Sequence, residues 1–102
     1  MSRPASEVLK DIQAFTPTDG LWRPLDTLLA ELWAHGPLAR EALPVLFGVF
    51  ERFPTDDGAG VLWSIVHGVE DLPYDYENEL AASNNRASSY MAEVMLARLT
   101  RS

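Results

Sequence analysis

Two histidines, His35 and His67, and fifteen acidic side chains hold most of this chain's capacity for chemistry, because cysteine is absent. His67 and Glu70 stand at i and i+3 of a helical pattern, a spacing that could turn both toward one metal ion. Two ligands do not complete a site, and no second His-bearing helix supplies the rest. A structural or interface histidine is the commoner role for such a residue. His35 precedes Gly36 and reads as a helix C-terminal residue, where the dipole favours it. Asp56-Asp57-Gly58 invites a calcium reading, yet counting from Asp56 puts Val61 where an EF-hand loop needs Gly and His67 where it needs Glu. Those aspartates read instead as caps of the helix that follows. No serine sits in a G-x-S-x-G elbow, and no P-loop or dinucleotide fingerprint occurs. Without cysteine there is neither a thiolate nucleophile nor a disulfide framework. The chain is expected to use no metal and no cofactor.

The most informative local feature is an acidic run, Glu70, Asp71, Asp75, Glu77 and Glu79, threaded by Tyr74 and Tyr76. No Lys or Arg interrupts the chain between Arg52 and Arg86. Two readings stand side by side. In one, the run is a solvated face that keeps the protein soluble. In the other, it is a patch for a basic protein, with acids steering the encounter and tyrosines anchoring it. The tryptophans divide similarly. Trp33 falls on a leucine stripe and reads as core, Trp63 as core or rim. Trp22, beside a turn, is either an exposed anchor or a loop residue folded back onto the core.

The elements that must position these residues are helices. Ser6 can cap a first helix carrying Val8, Leu9 and Ile12, which ends near Phe15. Pro24 stands in the first turn of a second, whose Leu25, Leu28, Leu29, Leu32 and Trp33 form the cleanest amphipathic stripe of the chain. Gly36-Pro37 stops it. Between Leu38 and Phe53, Pro44 must kink the helix or restart it after a lead-in turn. Val45 and Val49 make that helix apolar on more than one face and so central. A fourth helix, capped by Asp56 or Asp57, carries Leu62, Ile65, Val66 and Val69. Gly58, Gly60 and Gly68 within it suggest close approach of a neighbour. A short fifth helix spans Asp75 to about Asn84. The last begins around Ser88 or Ser89, with Met91, Val94, Met95 and Leu99 inward and Arg98 and Arg101 in its final turn. No stretch alternates over a strand's length, so a sheet is not expected. The expected fold is all-α: about six short helices in one domain over residues 1–102. They form three helical hairpins, arranged either as a HEAT-like stack or as a compact orthogonal bundle. Leu28, Leu29, Leu32, Leu46, Phe47, Phe50, Leu62, Ile65, Val66 and Met95 should be buried together.

With 102 residues and a formal net charge of -7, the chain is sized for one domain and poorly suited to a phosphate backbone or an anionic membrane surface. Neither nucleic acid nor membrane is expected as a partner. The first ten residues lack the apolar core of a signal peptide, and Ala42 to Phe50 is too short to span a bilayer. A cytoplasmic monomer is expected.

One stretch carries a resemblance. Phe50-Glu51-Arg52-Phe53-Pro54, followed by Asp57-Gly58-Ala59-Gly60-Val61-Leu62-Trp63-Ser64-Ile65-Val66-His67-Gly68-Val69-Glu70, resembles a family of small bacterial proteins of polymorphic toxin loci, the cognate immunity proteins. The similarity continues through Tyr76-Glu77, Leu80, Ser83 and Arg86 to Met91 and Leu96-Ala97-Arg98-Leu99. The chain departs from the family's pattern at Ala87, where members usually carry Pro, and at Ala97 or Thr100, where they carry Asn. The resemblance implies a helical, HEAT-like protein that binds and neutralises the C-terminal domain of a toxin. It transfers no contact residues.

Three functions therefore stand in order. The first is a non-enzymatic, stoichiometric immunity protein whose toxin, a nuclease among other options, carries a basic cleft that an acidic protein can cover. The second is a helical adaptor that takes a peptide or basic protein in a groove. The third is a small enzyme using His67 with Glu70 or Asp71. The residues themselves place the working surface on the fourth helix and the loop after it: Asp56, Asp57, His67, Glu70, Asp71, Tyr74, Asp75, Tyr76 and Glu77.

Overall fold

Pro44 decides how the most apolar stretch of the chain is used. A proline inside a helix loses an N–H bond and clashes with the preceding turn, but the first turn accommodates it. In the computed structural model, which describes residues 4–36, 38–56 and 58–100, a 3-10 turn at Arg40–Ala42 leads into a helix at Leu43–Arg52 with Pro44 in its first turn. The helix restarts and does not kink. Six α-helices result: α1 (Ala5–Ala14), α2 (Arg23–Trp33), α3 (Leu43–Arg52), α4 (Leu62–Glu70), α5 (Glu77–Arg86) and α6 (Tyr90–Thr100). Among the described residues the one strand-like feature is an isolated bridge, Thr18 to Leu21, in the turn before α2. The fold is all-α.

The helices form two rows. α1 lies against α3 and α3 against α5, while α2 lies against α4 and α4 against α6. The molecule measures 40 × 32 × 20 Å, and its thinnest dimension is two helix diameters. The hairpins α1–α2 and α5–α6 close as expected. The third, α3 with α4, does not: α3 packs mainly on α1 and α5, and α4 on α2 and α6. Trp22 accounts for the gap. It is buried at 6% exposure, so it is no surface anchor. Its ring centroid lies 5.8 Å from that of Phe15 and 5.1 Å from that of Phe53. A Cβ on Gly58 would meet the indole at 3.0 Å. The tryptophan thus wedges into the α3–α4 connection, and Arg52 reinforces it by donating to the carbonyls of Phe15 at 2.7 Å and Ile12 at 2.9 Å. Those carbonyls lie at the C-terminal end of α1, where backbone acceptors outnumber helical donors, although that of Ile12 also accepts the Phe15 N–H at 3.1 Å.

The inward stripes behave as their spacing requires. Leu29, Leu32, Leu46, Phe47, Phe50, Leu62, Ile65, Val66 and Met95 are fully buried, whereas Leu28 is half-buried against them. Two caps differ from the sequence reading. Ser6 lies inside α1, whose N-cap is Pro4. The Asp56 carboxylate accepts the N–H of Gly58 at 2.9 Å and holds a 3-10 turn at Gly58–Gly60, leaving α4 to begin at Leu62 with no side-chain cap. Asp57 lies outside the described residues. Ser89 does cap α6, accepting the Ala92 N–H at 3.2 Å.

Glycines Gly48 and Gly68 provide an internal control. Both are helical, but a Cβ at Gly48 meets nothing within 4 Å, whereas one at Gly68 would come within 2.5 Å of the Trp33 ring. Gly48→Ala should stabilise by about 0.5–1 kcal/mol through helix propensity. Gly68→Ala should destabilise by about 1–3 kcal/mol through overpacking. Urea denaturation of the two variants checks the opposite signs.

Across the first row, Glu51 of α3 accepts from Ser83 at 2.6 Å and from Arg86 at 2.9 Å on α5. The Arg86 hydrogen bond holds the Glu51 carboxyl below its ordinary value, partial burial opposing it. A depressed carboxyl stabilises above the unfolded carboxylate range and loses that contribution as pH falls through the folded value. Thermal melts from pH 7 to about pH 3 should therefore show the parent losing stability more steeply than Glu51→Gln, with the two curves converging at the acid end.

Candidate functional site

Folding redistributes the acidic run. Tyr76 turns inward and is only 8% exposed, and burial pushes its hydroxyl pKa up, with the Glu70 charge adding to the shift. It belongs to the core, not to a binding face. Tyr74 is half-buried and donates its hydroxyl to the Leu38 carbonyl at 2.6 Å, while the Arg40 guanidinium lies 4.5 Å from its ring centroid. Burial raises its pKa against the opposing pull of Arg40. Tyr74 is a strap between the 38–40 segment and the loop after α4.

Two acids of the run, Glu70 and Glu79, are compensated in space, though not in sequence. Arg98 of α6 grips Glu70 with bonds of 2.7 and 3.0 Å. Arg40 reaches both oxygens of Glu79 at 2.9 Å and the backbone carbonyl of Asp75 at 2.8 Å. The Asp75 carboxylate accepts the Glu77 N–H at 3.0 Å and so opens α5. Sequence reasoning missed Arg40 and Arg98 as partners of the run; their charge was the available signal, but not their destination. His67 Nδ1 stands 4.0 Å from the Glu70 carboxylate, whose shorter bonds go to Arg98. Among the described residues no three His, Cys, Asp or Glu side chains converge to hold an ion.

His67 on α4 and Asp71 at its C-cap, four residues on, remain exposed. They stand over an open groove of about 510 Å³ between the C-terminal ends of α2 and α4. Trp33 enters it over Gly68, the close approach that only glycine permits. Leu38, Leu72 and Pro73 supply apolar wall, and Ser64 lies on the α2 side, its hydroxyl 3.5 Å from Asp26. The His67 ring leans on Trp63, with centroids 6.1 Å apart. The groove therefore gathers His67 and Asp71 from the expected site. Asp56, Asp75, Tyr76 and Glu77 do not line it.

A small two-layer α-helical protein with an amphipathic groove that carries one exposed carboxylate, Asp71, is what fold and site define. No described helix is long and apolar enough to cross a membrane. Comparison of the chain with protein-family models, curated proteins and solved structures finds no match.

Proposed function

We infer that this chain is an immunity protein, which binds the C-terminal domain of a cognate toxin in the cytoplasm and neutralises it stoichiometrically, without chemistry or a cofactor of its own. One observation carries the reading. Four of the eight Lys and Arg side chains, Arg40, Arg52, Arg86 and Arg98, donate to partners inside the molecule, while Asp71, Asp75 and Glu77 face solvent. A net charge of -7 thereby becomes a surface suited to steering a basic protein and unsuited to nucleic acid or an anionic membrane. The resemblance of residues 50–70 to immunity proteins points the same way.

The groove between α2 and α4 favours a second reading, an adaptor for an extended or helical peptide. Affinity purification from the native host, with the partner identified by mass spectrometry, separates the two. Recovery of the toxin domain of a large secreted protein, in a one-to-one complex that suppresses its activity, supports immunity. Recovery of a short motif shared by several unrelated proteins overturns it in favour of the adaptor.

A further inference from the structure

We propose that the groove between α2 and α4 seats an arginine side chain presented by a basic protein, with Trp33 as its floor and Asp71 as its counter-ion. This deepens the proposed function and rests on it for the identity of the partner; the chemistry of the seat rests on the groove alone.

The groove's charge selects a cation. Its described lining holds one carboxylate, Asp71, one imidazole, His67, and no Lys or Arg. Glu70, the preceding residue, is taken by Arg98, whereas Asp71 is exposed at the end of α4 with no charge partner among the described residues. Lining residues come from the C-terminal ends of both helices, Gly36 just beyond α2 and Asp71 with Leu72 just beyond α4. Helix C-termini carry partial negative charge, and here two of them converge.

Shape and polarity then select arginine over lysine. Trp33 is a half-buried indole that lines the groove. A planar guanidinium can stack on an aromatic face and still donate two parallel N–H bonds to a carboxylate; a compact, strongly hydrated ammonium does this poorly. Leu38, Leu72 and Pro73 offer apolar contact for the methylene stem. The volume of about 510 Å³ also admits the residues on either side of the inserted arginine.

The probe is an acetylated, amidated hexa-arginine peptide titrated into the isotope-labelled full chain, with hexa-lysine and hexa-glutamate as comparators. Hexa-arginine should shift the Trp33 indole N–H and the Gly68 and Asp71 amides saturably, hexa-lysine should bind several-fold more weakly, and hexa-glutamate should shift nothing. Asp71→Asn should weaken hexa-arginine binding about tenfold. Glu77→Gln, which removes the same charge outside the groove, should change it less than about twofold. Equal losses in the two variants, equal affinity for lysine and arginine, or shifts centred on the exposed Leu21 turn would each overturn the seat. The two proposals also fail separately. A toxin domain captured equally well by the parent and by Asp71→Asn removes the seat and leaves immunity standing. Arginine-selective binding lost in Asp71→Asn, with no toxin domain captured by the parent, upholds the seat and removes immunity.

Discussion

Phe50→Ala is expected to cost about 3–5 kcal/mol, the range for emptying a packed aromatic site. Phe50 is fully buried on α3, its ring stacked on that of Phe47 at 6.0 Å and 28°. α3 is the middle helix of its row and touches α1, α5 and α6, so few neighbours can collapse into the void without disturbing a second contact. A domain of this length is stable by only about 5–15 kcal/mol in total, so the variant should be near the edge of unfolding. Urea denaturation followed by far-UV circular dichroism measures it, as a lower midpoint with an unchanged slope. A loss below about 1 kcal/mol would remove α3 from the centre of the fold.

Tyr76→Ala should be comparably damaging, about 3–5 kcal/mol by the same mechanism. As a surface anchor, Tyr76 would lose partner affinity on truncation while the fold stayed intact. Its burial reverses that order: the isolated protein should melt earlier, and any loss of protection would follow from the fraction unfolded. Tyr76→Phe keeps the ring and should leave stability nearly unchanged. Tyr74 differs in kind, since Tyr74→Phe removes one hydrogen bond to Leu38 and should cost only about 1 kcal/mol. Melting the three variants without any partner separates these roles. An alanine variant at position 76 as stable as the parent would return Tyr76 to the surface.

Much of the architecture was readable because helix formation is governed by neighbours along the chain. Leu25, Leu29 and Leu32 share a face at 3.6-residue spacing, and Leu62, Ile65, Val66 and Val69 do the same. Pro44 announced a break, either a kink or a restart, and the structure takes the restart, since a missing N–H is harmless only in a first turn; Gly68 announced a close neighbour, which proved to be the Trp33 ring. Even the boundaries of α5 moved by only two residues, as expected where no strong cap marks the end.

Other features had no local signal. Glu70 meets Arg98 across 28 residues and Glu79 meets Arg40 across 39, so an acidic run that stands alone in sequence is partly neutralised in space. Tyr76 sits just ahead of α5, where no stripe reports which way a side chain turns, and only packing against the finished core buries it. Trp22 is another such case, since its wedge exists only once Phe15 and Phe53 have been brought together. The sequence by itself determined that the chain would be helical, acidic and centred on α3, because local spacing and formal charge suffice for that. Which acids stay free, and that His67 and Asp71 would share a groove with Trp33, was decided by the tertiary structure. Pairing between distant side chains depends on how helices stack, and stacking is a property of surfaces that no single segment contains.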